Sequence, residues 1–104
     1  MRTMAEHKAI YGYARPYRIH DDSTIEELVD GNWVKVETFV KIEKTRYRER
    51  LCVQLIGSNG KPLVRSVKKL MIDAFFGGSR RGVTYAFRNA NPLDCSLKNL
   101  HLLV

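Results

Sequence analysis

The clearest periodic pattern in this chain is an apolar stripe between Val67 and Phe75. Its members recur with the spacing of one helical face and are Val67, Leu70, Met71, Ala74 and Phe75. Ser66 is well placed to cap the N-terminus of this helix. Gly77-Gly78 should end it, because glycine adopts the left-handed conformation without strain. The pattern therefore predicts a helix that buries one face in the core.

β-prone runs dominate the chain before this helix. Asn59-Gly60 separates the run Leu51–Ile56 from the run Lys61–Arg65, and Asn-Gly between two such runs is a strong hairpin signal. Two shorter runs upstream, Trp33–Glu37 and Phe39–Ile42, show partial alternation of apolar and polar residues. These patterns predict a β-rich middle of the chain.

The N-terminal segments have weaker patterns. Residues 1–9 are expected to be a loose terminus. Ile10–Ile19 is expected to form an edge strand or an extended arm, because Pro16 cannot donate a hydrogen bond to a neighbouring strand. The run Ser23–Glu27 resembles a capping box, which predicts one helical turn at Ile25–Val29.

The segment after the glycines predicts a strand, a turn and a short helix. Val83–Phe87 has alternating apolar positions, and Asn89–Pro92 is rich in turn residues. Asn91 can cap and Pro92 can begin a helix over Leu93–Asn99. The whole pattern predicts an α+β fold in which small antiparallel β-hairpins precede the amphipathic helix.

Length and composition fit one globular domain of 104 residues, 44% of them hydrophobic. We divide it into an N-terminal arm (1–30), a β-rich part (31–65) and a helix-strand-turn-helix part (66–104).

No apolar run approaches the ~20 residues of a membrane span, and no signal or transit pattern is present, so a cytoplasmic location is expected. Cys52 and Cys95 lack a nearby second cysteine, which favours buried thiols over metal ligands.

The net charge of +7 is unevenly distributed. Residues 1–30 contain four Lys or Arg against six Asp or Glu, which gives −2, whereas residues 31–104 contain fourteen against five, which gives +9. A surface of this charge attracts polyanions and releases their counterions. The composition therefore favours nucleic acid as a partner, with a merely solvated basic surface as the alternative.

Two sets of cations are the candidate phosphate contacts. The first is Lys44, Arg46, Arg48 and Arg50, which alternate and would all project from one face of an extended strand. A solvated strand face or a loop is the alternative for this set. The second set flanks the predicted helix and the turn after it: Lys68, Lys69, Arg80, Arg81 and Arg88. No metal site, cofactor or small-molecule substrate is indicated.

Several segments occur in an order that matches a known family. They are Gly31–Val36, Arg50–Leu55, Asn59–Lys61, Val67–Phe75, Asn89–Asn91 and Asn99-Leu100. From about Asp30 onward this order resembles that of the phage-type HNH endonucleases, which often carry a NUMOD4-like region. The resemblance implies an HNH-like ββα hairpin after the amphipathic helix. It also implies nucleic acid as partner, with duplex DNA favoured over RNA, and a phage or mobile-element origin.

The departures from that family fall on its chemistry. In the family a histidine acts as general base on a water, and nearby side chains hold a divalent ion against the phosphate. Here the general-base position falls on Phe87, the metal-ligand aspartate on Asn89 and the family glycine on Ala90, while Lys68 replaces a helix histidine. Phenylalanine accepts no proton, and a neutral amide is a weaker ligand for a hard cation. The resemblance therefore implies a degenerate, non-catalytic HNH-like nucleic-acid-binding protein.

Three other interpretations stay open at the level of sequence. The chain could be a protein-binding inhibitor or accessory factor that occupies a host polymerase, ribosome or defence nuclease. It could be an active nuclease whose rearranged site uses His20, Asp94 and His101. It could also be a generic α+β domain in which the asparagines of the C-terminal turn serve only as turn and cap residues.

Overall fold

The computed structural model describes residues 6–78 and 84–103. Arg80 and Arg81, two of the predicted phosphate contacts, lie outside these ranges. In chain order the elements are β1 (His7–Ile10), β2 (Tyr17–His20), β3 (Ile25–Val29), β4 (Asn32–Lys35), β5 (Thr38–Glu43), β6 (Arg48–Ile56), β7 (Pro62–Ser66), α1 (Val67–Phe75), β8 (Thr84–Phe87), a 3-10 helix (Leu97–Asn99) and β9 (Leu100–Leu103). This combination of strands and a helix confirms the α+β class. In the described ranges, no helix is long and apolar enough to cross a membrane.

The described strands form antiparallel sheets in which chain neighbours pair. The sheet orders are β1-β2-β3-β4, β5-β6-β7 and β8-β9. The core cluster draws side chains from all of these sheets and from α1: Tyr17, Ile19, Ile25, Val53, Leu55, Val67, Leu70, Met71, Cys95 and Leu100. The apolar face of α1 therefore packs in one core with residues of the β-sheets.

Helix α1 begins and ends as its sequence predicts. The Ser66 hydroxyl accepts a hydrogen bond from the Lys69 N–H at 3.3 Å, which satisfies one of the unpaired donors of the first turn. Gly77 and Gly78 have φ angles of 78° and 101°, and the Gly78 N–H donates to the Ile72 carbonyl at 3.2 Å. The two left-handed glycines thus end the helix. Its first turn follows directly after β7.

The helical turn predicted at Ile25–Val29 is wrong, because this segment is strand β3. The Asp22 carboxylate accepts from the Thr24 N–H at 2.9 Å, and Ser23 has a φ of 74°, so these residues close a tight turn between β2 and β3. Ile25 is fully buried opposite Ile19. Burial of this branched side chain in the sheet outweighs the local capping signal.

The N-terminal arm is also more regular than predicted. Residues 7–9, expected to be loose, belong to β1. Tyr17–His20 is an interior strand of the four-stranded sheet and not an edge strand, because β1 and β3 flank it. Pro16 precedes this strand, where its missing N–H interrupts no ladder. The Tyr17 hydroxyl accepts from the Ile56 N–H at 2.9 Å, so this tyrosine has a packing role.

The predicted four-cation stripe is interrupted by a turn. Residues 44–47 connect β5 to β6, so Lys44 and Arg46 do not lie on a strand. Arg48 and Arg50 do lie on β6, two residues apart and therefore on the same face. The alternation misled the prediction because the turn contains neither glycine nor proline, and Tyr47 adopts its left-handed conformation instead.

The helix predicted over Leu93–Asn99 is wrong apart from its last turn. Only Leu97–Asn99 is helical, and it is a 3-10 helix. Asparagine side chains hold the preceding residues in turns: Asn89 Oδ1 accepts from the Asn91 N–H at 2.9 Å, and Asn91 Oδ1 accepts from the Leu93 N–H at 3.1 Å. Such local bonds compete with helix formation. The chain then returns along β8 as strand β9.

Ala90 adopts a left-handed conformation, with a φ of 61°, in the turn after β8. This conformation costs an L-residue ~1–2 kcal/mol, whereas glycine adopts it freely. We expect Ala90→Gly to raise the free energy of unfolding by about 1 kcal/mol in urea denaturation. The matched change Ala74→Gly inside α1 should lower that free energy by about 1 kcal/mol. A decrease for both variants would contradict the assigned backbone conformation.

Candidate nucleic-acid interface

A groove of about 830 Å³ lies between β6, α1 and the turn that follows β8. We call it the β6–α1 groove. Four of the predicted phosphate contacts line it: Arg48 and Arg50 from β6, and Lys68 and Lys69 from α1. Members of both predicted cationic sets therefore meet on one surface, although they are about twenty residues apart in sequence.

The strand-to-helix junction explains why these cations converge. Strand β7 pairs with β6, with Ser66 opposite Cys52, and α1 begins at the very next residue. The first turn of α1 is thereby fixed beside the part of β6 that carries Arg50. The position of Lys68 is a consequence of the hairpin register and of the helix cap together.

The groove disfavours the charge of Lys68. Burial lowers the pKa of its ammonium, and although the Cys95 sulfur acts in the opposite direction, the positive charges of Arg50 and Arg48 lower it further. Among the described residues, no carboxylate lies within ion-pair distance of Lys68. Its Nζ lies instead 4.7 Å from the centroid of the Phe87 ring. An anion in the groove would offset this unfavourable electrostatic environment.

Two of the other groove cations pair with carboxylates that are at least partly exposed. Arg50 Nη2 lies 2.9 Å from Glu43 Oε2, and Lys69 Nζ lies 3.8 Å from Asp73 Oδ2. Ion pairs with this much solvent exposure contribute little free energy. These side chains can therefore exchange a carboxylate for a phosphate at small cost.

The remaining predicted contacts lie beside the groove or outside the described residues. Lys44 and Arg46 are in the exposed turn that leads into Arg48, and they do not line the groove. Arg88 is exposed and follows Phe87 directly, and its backbone N–H donates to the Asn99 carbonyl at 2.7 Å. The two arginines at 80 and 81 fall outside the described ranges.

The positions that the resemblance assigns to catalysis cluster at one side of the groove. Phe87 ends strand β8 and lines the groove, as does Ala90. The Asn89 side chain is engaged within its own turn, because its amide donates to Asp94 Oδ2 at 3.1 Å and its oxygen accepts from Asn91. The position that the resemblance assigns to the general base is therefore an aromatic residue that lines the groove.

Asp94 and Asn99 hold the loop between β8 and β9. Asp94 Oδ1 accepts from the Ser96 hydroxyl at 2.6 Å, and this hydrogen bond lowers the pKa of the carboxyl. Asn99 is buried; its amide donates to the Asp94 carbonyl at 2.8 Å, and its oxygen accepts from the Asn89 N–H at 3.0 Å. Both side chains have a structural role in positioning this loop.

The residues of the alternative nuclease site are separated in the fold. His20 lies on β2, where its Nε2 contacts the Glu26 carboxylate and its ring centroid lies 5.5 Å from that of His7, with the two rings tilted by 58°. His101 lies on β9, in a different sheet. Within residues 6–78 and 84–103, no group of three or more His, Cys, Asp or Glu side chains is arranged to hold a metal ion.

Sequence reasoning missed the apolar part of the groove. Its apolar lining residues include Leu51, Ile72, Ala86, Phe87, Ala90 and Pro92. Ile72 was the one indication of it in the sequence of α1: this residue is apolar although it lies outside the predicted apolar stripe, so a second apolar surface beside the helix could have been expected. Cys95 also lines the groove; both cysteines are buried as predicted, and burial raises the pKa of the Cys95 thiol to about 11.

Comparison with solved structures identifies the fold. A structure described as "DNA binding and cleavage by the HNH homing endonuclease I-HmuI" superposes on 94% of this chain with a TM-score of 0.69 and 19% sequence identity. The present chain spans about half of that protein, 52% of its length. No protein-family model and no curated protein sequence matches this chain. The chain therefore has an HNH-endonuclease-like fold.

Proposed function

We propose that this chain is a non-catalytic HNH-like protein that binds nucleic acid, duplex DNA in preference to RNA, through phosphate contacts. The observation that carries the proposal is the convergence of Arg48, Arg50, Lys68 and Lys69 on the β6–α1 groove. Lys68 in particular gains from a phosphate, because burial and two arginines disfavour its charge. Contacts of this kind position a protein on DNA without reading its sequence.

The non-catalytic part of the proposal is supported by the groups at the family's catalytic positions. Phe87 cannot act as a base, and the polar atoms of Asn89 are used within its turn. Loss of a general base typically removes ~10²–10⁴ in rate, and loss of the metal raises the barrier further. The resemblance to phage-type proteins supports a phage or mobile-element origin as part of the same proposal.

We expect supercoiled plasmid to be bound but not nicked when it is incubated with the protein and Mg²⁺ or Mn²⁺. Retardation in an agarose gel measures binding, and the nicked fraction after protein removal measures cleavage. His101→Ala is the matched variant, because His101 is the histidine of the rearranged site that lies next to β8. Metal-dependent nicking that disappears in this variant would overturn the non-catalytic assignment. Absence of retardation at low salt would overturn DNA binding.

Exposed apolar side chains on an edge strand favour a second candidate function. β5 is an edge strand of its sheet, and Phe39, Val40 and Ile42 are 41%, 49% and 60% exposed on it. Such strands are frequent sites of protein association. The chain would then occupy the nucleic-acid channel of a host polymerase, ribosome or defence nuclease. A stoichiometric protein partner that survives nuclease treatment in a pull-down supports this candidate, whereas loss of all partners argues against it.

A further inference from the structure

The β6–α1 groove has an apolar lining that phosphate binding does not require. Leu51, Ile72 and Phe87 are part of this lining, and the exposed ring of Tyr47 lines the groove as well. Paired DNA presents its phosphates and sugars to a protein and keeps the faces of its bases stacked inside. A groove that contacted only the DNA backbone would gain no binding free energy from these apolar side chains. Its volume of about 830 Å³ is large enough for a whole organic group, held in an open groove.

Phe87 and Lys68 form the point at which the cationic and apolar parts of the groove meet. The Lys68 ammonium lies 4.7 Å from the centroid of the Phe87 ring, which is partly exposed. A phosphate held by Arg50 would attract this ammonium away from the ring. The ring face would then be available to a flat group with a π-surface, which is how aromatic side chains bind nucleobases.

The Phe87 ring is well supported for this role. Phe87 pairs with Leu100 across the β8–β9 ladder, and Leu100 is buried in the core cluster. The backbone beside it is fixed by the hydrogen bond from the Arg88 N–H to the Asn99 carbonyl at 2.7 Å. A ring that is already fixed loses little conformational freedom when a base stacks on it.

We propose that the β6–α1 groove holds one nucleotide that has left the DNA stack, with its base on the Phe87 ring and its phosphate between Lys68 and Arg50. This inference depends on the proposed function, because the nucleotide is part of the DNA that the groove binds. DNA with an unpaired nucleotide is then the preferred ligand. A paired nucleotide must first be unstacked, and the cost of unstacking weakens its binding.

The test compares three fluorescently labelled DNA duplexes of otherwise equal sequence by anisotropy titration with the wild-type protein. The first is fully paired, the second carries one unpaired adenine, and the third carries an abasic nucleotide in place of that adenine. The abasic DNA keeps the extra phosphate and the local flexibility and lacks only the base. We expect the adenine DNA to bind roughly 5- to 150-fold more tightly than the abasic DNA, which corresponds to the ~1–3 kcal/mol measured for stacking of one base.

Variants then assign the difference to the ring. Phe87→Leu keeps an apolar side chain without a ring and should bring the adenine-to-abasic affinity ratio close to one, whereas Phe87→Trp should preserve it. Tyr11→Leu removes an aromatic ring that is 86% exposed and lies outside the groove, and it should not change the ratio. Circular dichroism checks that each variant is folded.

Two outcomes separate this inference from the proposed function. Equal affinity of the wild-type protein for adenine and abasic DNA overturns the nucleotide site, whatever the variants do. If the paired duplex is still bound in a salt-dependent manner, the proposed phosphate contacts stand. Absence of binding to all three DNAs overturns both.

Discussion

The affinity for random-sequence duplex DNA is expected to fall about 150-fold when the salt concentration rises from 50 to 200 mM. The expectation follows from the four cations that line the β6–α1 groove. If each neutralises one phosphate, the logarithm of the affinity falls with the logarithm of the salt concentration with a slope of about −3.6. A fourfold rise in salt then gives the stated loss. Anisotropy titrations at several salt concentrations measure the slope directly.

A pair of double variants locates the effect in the groove. Arg48→Gln combined with Lys68→Gln should change the slope to about −1.8, because two fewer counterions are released on binding. The affinity should then fall only about 12-fold between 50 and 200 mM salt. Lys8→Gln combined with Lys61→Gln removes the same charge from exposed positions outside the groove. The second pair should leave the slope close to the wild-type value. Equal slopes for both pairs, or a wild-type slope near zero, would contradict the groove as the phosphate-binding surface.

The four groove cations are among the candidate phosphate contacts that the sequence indicates, but no local pattern predicts that they lie on one surface. Helix α1 was predictable because its stripe, its Ser66 cap and its glycine stop are all local signals that agree. The location of Lys68 beside Arg50 depends on the register that places Ser66 opposite Cys52. Such a register involves residues fourteen apart and leaves no trace in local periodicity.

Non-local pairing also explains the wrong helical turn at Ile25–Val29. Its two glutamates suggest the first turn of a helix, yet Glu26 pairs with a residue of the neighbouring strand β2 and Glu27 with a residue of the loop before β2. Glu26 lies 2.8 Å from Arg18 Nε, and Glu27 lies 2.6 Å from Arg15 Nη1. Opposite charges on neighbouring strands stabilise a sheet, just as opposite charges on adjacent turns stabilise a helix. The residues themselves do not distinguish the two arrangements.

The asparagines after β8 show the limit of sequence reasoning about function. Their positions match both an HNH-like motif and an ordinary sequence of turns and caps. The hydrogen bonds assign them a structural role: each of Asn89, Asn91 and Asn99 accepts from a backbone N–H of this loop. The loop in turn positions Phe87 and Ala90 at the groove. The asparagines of this loop therefore act here by shaping the groove, and their positions alone do not distinguish the two interpretations.

Asn99→Ala is expected to lower the free energy of unfolding by about 1–3 kcal/mol, because the buried side chain makes two hydrogen bonds in the loop. Truncation removes both bonds, to the Asn89 N–H and to the Asp94 carbonyl, and each bond contributes ~0.5–1.5 kcal/mol. Urea denaturation followed by circular dichroism measures the change. Asn91→Ala is the matched control, because Asn91 is exposed and its side chain bonds one backbone N–H, so a loss of about 1 kcal/mol or less is expected.

The same variant distinguishes a structural asparagine from one that acts on DNA. If Asn99 only holds the loop, Asn99→Ala should lower DNA affinity in proportion to the loss of folded protein, and conditions that restore folding should restore binding. Asn99→Asp keeps an acceptor for the Asn89 N–H but loses the donor to the Asp94 carbonyl, so its stability should fall below that of the wild type as well. Weakened DNA binding with an unchanged free energy of unfolding would show instead that Asn99 contacts the nucleic acid directly.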